Sequence, residues 1–233
     1  MSLLTIVQDA CILVGLDQPS AAASSVDTSI KQIVALASKT GREVARWHDW
    51  STLSIAGSFT GDGTTTVFNL PADFDRFAQG EKIILDGGIG TISTGPLSAS
   101  EITAFRARSP ITVAFVHFRR GNQFTIAPAL AANRKAIFEY QSKNWCASSS
   151  GAPQTGFLAD TDVALIDEEL ITLGIAWRWR QIKGFDYAQE YEDWRQAVEL
   201  RAAFDRGRIP VAAGSPYAQL PDPVTPDTII LGT

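Results

Sequence analysis

No run in this 233-residue chain approaches the ~20 consecutive apolar residues that a membrane-spanning helix needs, so no membrane role is expected. The N-terminal MSLLTIVQDACILVGLDQP is apolar in its middle but lacks a basic leading segment, and Gln8 and Asp9 interrupt it. It is expected to be a helix rather than a secretory signal. Cysteine is almost missing: there are two, Cys11 on an apolar helix face and Cys146 after a strand-like run, with no CxxC. That excludes a disulfide framework and a structural zinc site, and Cys11 reads as a buried, inert thiol. The motifs GxSxG, HExxH, GxxxxGK[ST] and a helix-opening GxGxxG are all absent, which argues against an enzyme and implies no cofactor. A basic excess is absent as well. The net charge is −5 overall and −1, +2 and −6 over residues 1–50, 51–145 and 146–233, unlike the concentrated basic face of a dedicated nucleic-acid binder.

What remains is a hydrophobic fraction of 45%, typical of a globular protein, in a strongly ordered pattern of helix and strand signals. Leu3, Ile6, Val7, Ala10, Leu13 and Val14 fall at helical spacing before Gly15, predicting a first helix from Leu3 to Val14. After the linker LDQPSAAASS, Asp27 or Thr28 can cap a second helix that carries Ile30, Ile33, Val34, Ala37, Gly41 and Val44 and ends near Arg46. The period then changes. STLSIAGSF, TTTVFNL, EKIILD, ITVAFVHF, QFTIAP and RKAIFEYQ are strand-like runs separated by GDG, DGGIG, TGP and RGN, predicting an antiparallel β region. SASEITAFRAR interrupts it with one short helix, Ser98 or Ser100 as cap and Glu101 in the first turn. Beyond the loop CASSSGAPQTGFLAD, Thr161 or Asp162 can cap a third long helix with Leu165, Ile166, Leu170, Leu173 and Trp177 as its stripe. Ile171, Ile175, Trp179 and Ile182 widen that stripe, and Lys183 and Gly184 end it. A last helix carries Tyr187, Tyr191, Trp194, Val198 and Ala202. From Arg206 onward, prolines at 210, 216, 221, 223 and 226 preclude a regular element.

The expected fold class is therefore α+β. The N-terminal helical pair (1–50) and the C-terminal helical pair (146–206) make a four-helix bundle, with an antiparallel β domain (51–145) inserted and an extended C-terminal arm (207–233). The arm ends in Ile229, Ile230 and Leu231. So apolar a tip is expected to dock on another surface, together with Ile209, Pro210, Tyr217 and Leu220.

Candidate catalytic groups each have a plainer structural explanation. GDG at 61–63 reads as a hairpin turn rather than a phosphate or calcium loop. His48, at the end of the second helix, and His117, in a strand, find no third group to complete a metal site or triad. Asp160, Asp162, Asp167, Glu168 and Glu169 crowd the start of the third long helix, where the helix dipole favours them. Asp73 and Asp75 in LPADFDRF read as turn residues rather than as a carboxylate pair. In WRWRQIK, Trp177 continues the apolar stripe while Arg178 and Arg180 fall on other sides, so core and interface roles outweigh base stacking.

The order and content of these segments resemble the head-to-tail adaptor (connector) proteins of tailed bacteriophages, of the tail tubular and tail accessory type. The segments are EVARWHDWSTL after a helical hairpin, FNLPADFDRF after the first strands, YQSKNW closing a strand, and DEELITLGIAWRWRQIKGFDYAQEYEDWRQAVELRAAFD. The resemblance spans about residues 1–206. It implies a virion protein made in the host cytoplasm: a ring, usually of twelve subunits, beneath the portal protein. Such a ring extends the channel for genomic DNA, without sequence-specific binding, and offers a platform to a downstream tail or neck protein. In that setting Trp47, Trp50, Trp177, Trp179, Tyr187, Tyr191 and Trp194 divide between the bundle core and the subunit interface, with Trp177, Tyr187, Tyr191 and Trp194 inward and Trp179 outward. Alternatives are another neck or tail ring component, such as a head-completion plug or tail terminator, a tail-associated hydrolase, or a sugar-binding β module.

Overall fold

Helix α1 spans Leu3–Val14, begins where the Ser2 hydroxyl accepts from the Thr5 N–H, and stops at Gly15. Helix α2 spans Thr28–Trp47 with Asp27 as its cap, the carboxylate accepting from the Ser29 N–H at 2.6 Å. These two helices match the sequence expectation within a residue. The structure is a computed structural model that describes residues 1–78, 83–86, 91–107 and 115–205. The proline-rich arm lies outside the described residues.

A 3-10 turn at Ser51–Leu53 leads into strands β1 (Ser54–Thr60), β2 (Val67–Asn69), β3 (Phe74–Phe77), β4 (Ile83–Leu85) and β5 (Thr91–Ser93). The short helix α3 (Ala99–Ala107) follows, and then β6 (Val116–Arg120), β7 (Gln123–Ala127) and β8 (Lys135–Ser142). Strand β8 organises the larger sheet: β1 runs along one edge, while β4 and β3 share the other, and β5 extends from β4. Strands β2, β7 and β6 form a second antiparallel sheet. Phe59, Phe124, Ile126 and Phe138 are buried in the core that the two sheets share. Helix α3 opens with a reciprocal cap in which Ser98 Oγ accepts from the Glu101 N–H while the Glu101 carboxylate accepts from the Ser98 N–H.

Three expectations change here. GDG is not a hairpin turn, because β1 pairs with β8 and β2 with β7, so residues 61–66 cross from one sheet to the other. Asp62 organises that crossing by accepting from the N–H groups of Thr64 and Thr65 and from both hydroxyls. FDRF is a strand, not part of a turn. The loop after Trp145 contains a small third sheet of β9 (Cys146–Ala147), β10 (Pro153–Gln154) and β11 (Val163–Ala164).

Helix α4 (Glu168–Lys183) is the hub of the helical part, packing against α1, α2 and α5 (Ala188–Asp205). It starts later than predicted, because Asp167 is the cap. The Asp162 carboxylate instead turns back to accept from Leu158 and Ala159, and Asp160 reaches across to Ala22 and Ala23. Of the acidic cluster only Asp167, Glu168 and Glu169 sit at the helix pole, and Leu165 lies before the helix and is exposed. At the far end Gly184 takes φ 78°, the left-handed turn expected of it. Trp145, Cys146 and Phe157 belong to the helical core rather than to the sheet core.

Candidate assembly site

The tryptophan-rich segment of α4 meets α2 and α5 around Gly174. A Cβ at this position would collide with Thr40 of α2 and come 2.9 Å from the Trp194 indole nitrogen of α5, so the three backbones approach closely only because the residue is glycine. One turn further on, Arg178 is fully buried, contrary to the expectation that it lies outside the core. Its Nη1 donates to Thr40 Oγ1 at 3.0 Å and to the Gly174 carbonyl at 2.9 Å, and its Nη2 pairs with Glu43. Its guanidinium lies 4.1 Å above the Trp177 ring and 5.1 Å from that of Trp194. Burial pulls the Arg178 pKa below its ordinary value while Glu43 pushes it back. A charge held between two indoles and paired with one carboxylate joins α2, α4 and α5 in a single arrangement.

The predicted aromatics distribute as follows. Trp50, Trp177, Trp179 and Trp194 are buried, and the Trp194 indole N–H donates to the Leu170 carbonyl at 2.9 Å. Trp179, expected at an outward face, is covered, with the Lys183 ammonium 4.3 Å from its ring centre. Tyr187 and Tyr191 flank Trp177, but Tyr191, expected inside, is 36% exposed. Trp47 is 39% exposed and meets Trp194 edge-on at 5.5 Å. The arm residues Ile209, Pro210, Tyr217, Leu220, Ile229, Ile230 and Leu231 lie outside the described residues.

A second polar centre ties the helices to the sheets, and LPADFDRF supplies it. Arg76 on β3 donates to Asp49 at 2.9 Å and to the carbonyls of His48 and Ala45 at the C-terminal end of α2, where a cation is favoured. Asp75 holds the same guanidinium at 2.8 Å. Asp73 accepts from the Tyr140 hydroxyl and the Ser142 hydroxyl, both at 2.9 Å, and so fixes the end of β8. Burial first, and then the bond to Asp73, push the Tyr140 pKa up to about 12. Across the joint, Asp205 at the end of α5 accepts from the Ser51 N–H and hydroxyl and lies 3.5 Å from His48 Nε2. Both former catalytic candidates of the LPADFDR segment are thus taken up in structural bonds.

His117 is buried against Phe124 with its Nδ1 3.0 Å from Ser93 Oγ, and burial lowers its pKa to about 4. Burial also pushes the Cys146 thiol up to about 12, and Cys11 upward, which keeps both as unreactive thiols. Among the described residues no cluster of His, Cys, Asp and Glu could hold a metal ion, and no helix is long and apolar enough to cross a membrane. Sequence reasoning missed Arg178, Thr40 and Arg76. The spacing of Leu170, Gly174 and Arg178 at i, i+4, i+8 carried a signal for Arg178; Arg76 had none, since its partners are remote in sequence.

A family model described as SU10 adaptor protein matches residues 1–227. No curated protein matches the chain.

Proposed function

Since the chain belongs to the SU10 adaptor protein family, a structural component of the phage neck or tail, we propose that it is a head-to-tail adaptor of the virion. In this reading twelve copies form a ring beneath the portal protein, extend the channel through which genomic DNA passes, and present a platform to the next tail or neck protein. Helices α1, α2, α4 and α5 form the four-helix body of each subunit, residues 51–145 an inserted β domain, 146–206 the C-terminal pair, and 207–233 an arm that docks on the portal or a neighbour. The observation that carries the reading is the family match over 1–227, nearly the whole chain. The chemistry agrees with it. Asp73, Asp75, Asp160, Asp162, Asp167 and His117 are engaged in caps, joints and buried bonds, as in a protein whose work is to hold a shape. A net charge of −5 also suits a channel wall past which DNA must slide, because a wall dense in cations would hold each phosphate by counterion release.

The test is the number of copies relative to the portal protein in purified particles, measured by mass spectrometry with labelled peptides. A ratio near one to one is expected. A ratio near one half or below, or absence from the particle, would overturn the assignment.

A further inference from the structure

All four cations of α2 face the same way: Lys31, Lys39, Arg42 and Arg46 are exposed, at steps of eight, three and four residues that keep one helix face. At 1.5 Å per residue the stripe is about 22 Å long. Two neighbours widen it. Lys143 lines the same surface depression as Arg42 and Arg46, and Lys183 bonds to Gln32 on α2. Among the described residues Lys31, Lys39, Arg42 and Lys143 form no ion pair; of the carboxylates beside the stripe, Glu43 is engaged by Arg178, and Asp75 by Arg76 and, at 3.7 Å, by Arg46.

The opposite charge lies on α5. Asp193 and Glu199 are exposed and Glu192 is half-exposed, Asp186 adds a further exposed carboxylate just before the helix, and Arg195 neutralises only part of the set through Glu192 and Glu199. These two faces match in height. Gly174 of α4 lies between Thr40 of α2 and Trp194 of α5, so those residues stand at one level. Both helices run antiparallel to α4: Gln32 meets Lys183 while Thr40 meets Arg178, and Glu190 meets Arg180 while Arg201 meets Asp167. They are therefore parallel to one another. Counting along the helices from the shared level, Lys39 stands opposite Asp193 in height and Arg46 opposite Glu199.

We propose that the basic face of α2 seats against the acidic face of α5 of a second copy, forming a heterologous contact repeated around the assembly. Rotation about an axis along the bundle keeps heights, so it brings the two faces into register, and a contact of two unlike faces is one that can close into a ring. The exposed Trp47 at the end of the stripe gives the contact an aromatic anchor. DNA is the other polyanion to weigh. Six cations per subunit in a lumen would brake its passage, whereas the acidic second copy complements them.

The contact rests on the ring reading, and its test separates the two. Sedimentation of the full chain at high concentration and low salt should show association that weakens as salt rises. Arg42→Glu with Arg46→Glu should weaken it roughly tenfold or more, and Glu192→Lys with Glu199→Lys should do the same. Mixing these two variants, or combining all four changes in one chain, should restore it. Thermal melts of the variants, whose changed residues lie outside the core, check folding. Reversed variants that assemble like the wild type would overturn the contact and leave the ring reading standing. Loss of DNA retention by the α2 variant with assembly unchanged would reassign the stripe to DNA. A wild-type chain that stays monomeric throughout would overturn the contact, while the portal ratio in particles still decides the ring.

Discussion

Thr40 shows how much one hydroxyl can carry. It is fully buried on α2 and accepts from a guanidinium that has no water to turn to. Thr40→Val keeps the shape and removes the acceptor, so a charged donor loses a partner at a cost of about 1.5–3 kcal/mol. Urea unfolding should show that loss with an unchanged m-value, and an unaltered midpoint would mean that Arg178 is held by Glu43 and the indoles alone. His117 sets a second test. Its folded pKa of about 4 lies below the ordinary 6.5, so between these values the unfolded chain binds more protons than the folded one. The stability it contributes is complete above pH 6.5 and is lost as pH falls toward 4, by up to about 3 kcal/mol. Comparing His117→Gln with the wild type across that window should show a shallower decline in the variant; parallel profiles would mean that the imidazole is not buried as described.

At the scale of the element, α4 concentrates the energetics. Trp177 is covered by Tyr187, Tyr191, Trp194 and the Arg178 guanidinium, so Trp177→Ala removes a ring from between four partners. It should cost about 3–5 kcal/mol, read as a fall in melting temperature, and an unchanged melt would take Trp177 out of the core. Elements were legible in the sequence to the degree that local signals decide them. Helix α1 was bounded at Leu3 and Val14 because apolar spacing and Gly15 agree, and the end of α4 because Lys183 and Gly184 do. The start of α4 was not legible, since Thr161 and Asp162 are good caps by type and only the tertiary fold turns Asp162 back to Leu158. Strand pairing was hidden for the same reason. A turn rich in Gly and Asp states that the chain bends, not which strand it will meet, and GDG bends from one sheet to another. Two-residue strands such as β9 and β11 have no period to read. The site was half visible: the aromatics announced themselves, while Arg178 was placed by its polarity and not by its step of four from Gly174.

For the whole molecule, the two cores are held together by polar joints. Arg76 clamps the end of α2 and Asp205 clamps the start of the β region, so the helices and sheets meet through directional bonds at defined points. Such a subunit can keep its own fold while leaving charged faces and single exposed aromatics for its partners. The arm is where assembly should be read most directly. Ile229 lies 24 residues beyond Asp205, a reach of up to about 80 Å when extended, enough to leave the subunit it belongs to. Ile229, Ile230 and Leu231 are three successive apolar residues, and apolar surface of that kind is stabilised by being covered. In assembled particles the amides of Ile229, Ile230 and Leu231 should therefore exchange much more slowly than in an unfolded peptide of the same sequence, and in the isolated chain they should not. Equal and fast exchange in both would mean that residues 229–231 dock on nothing and would overturn the proposed docking of the arm.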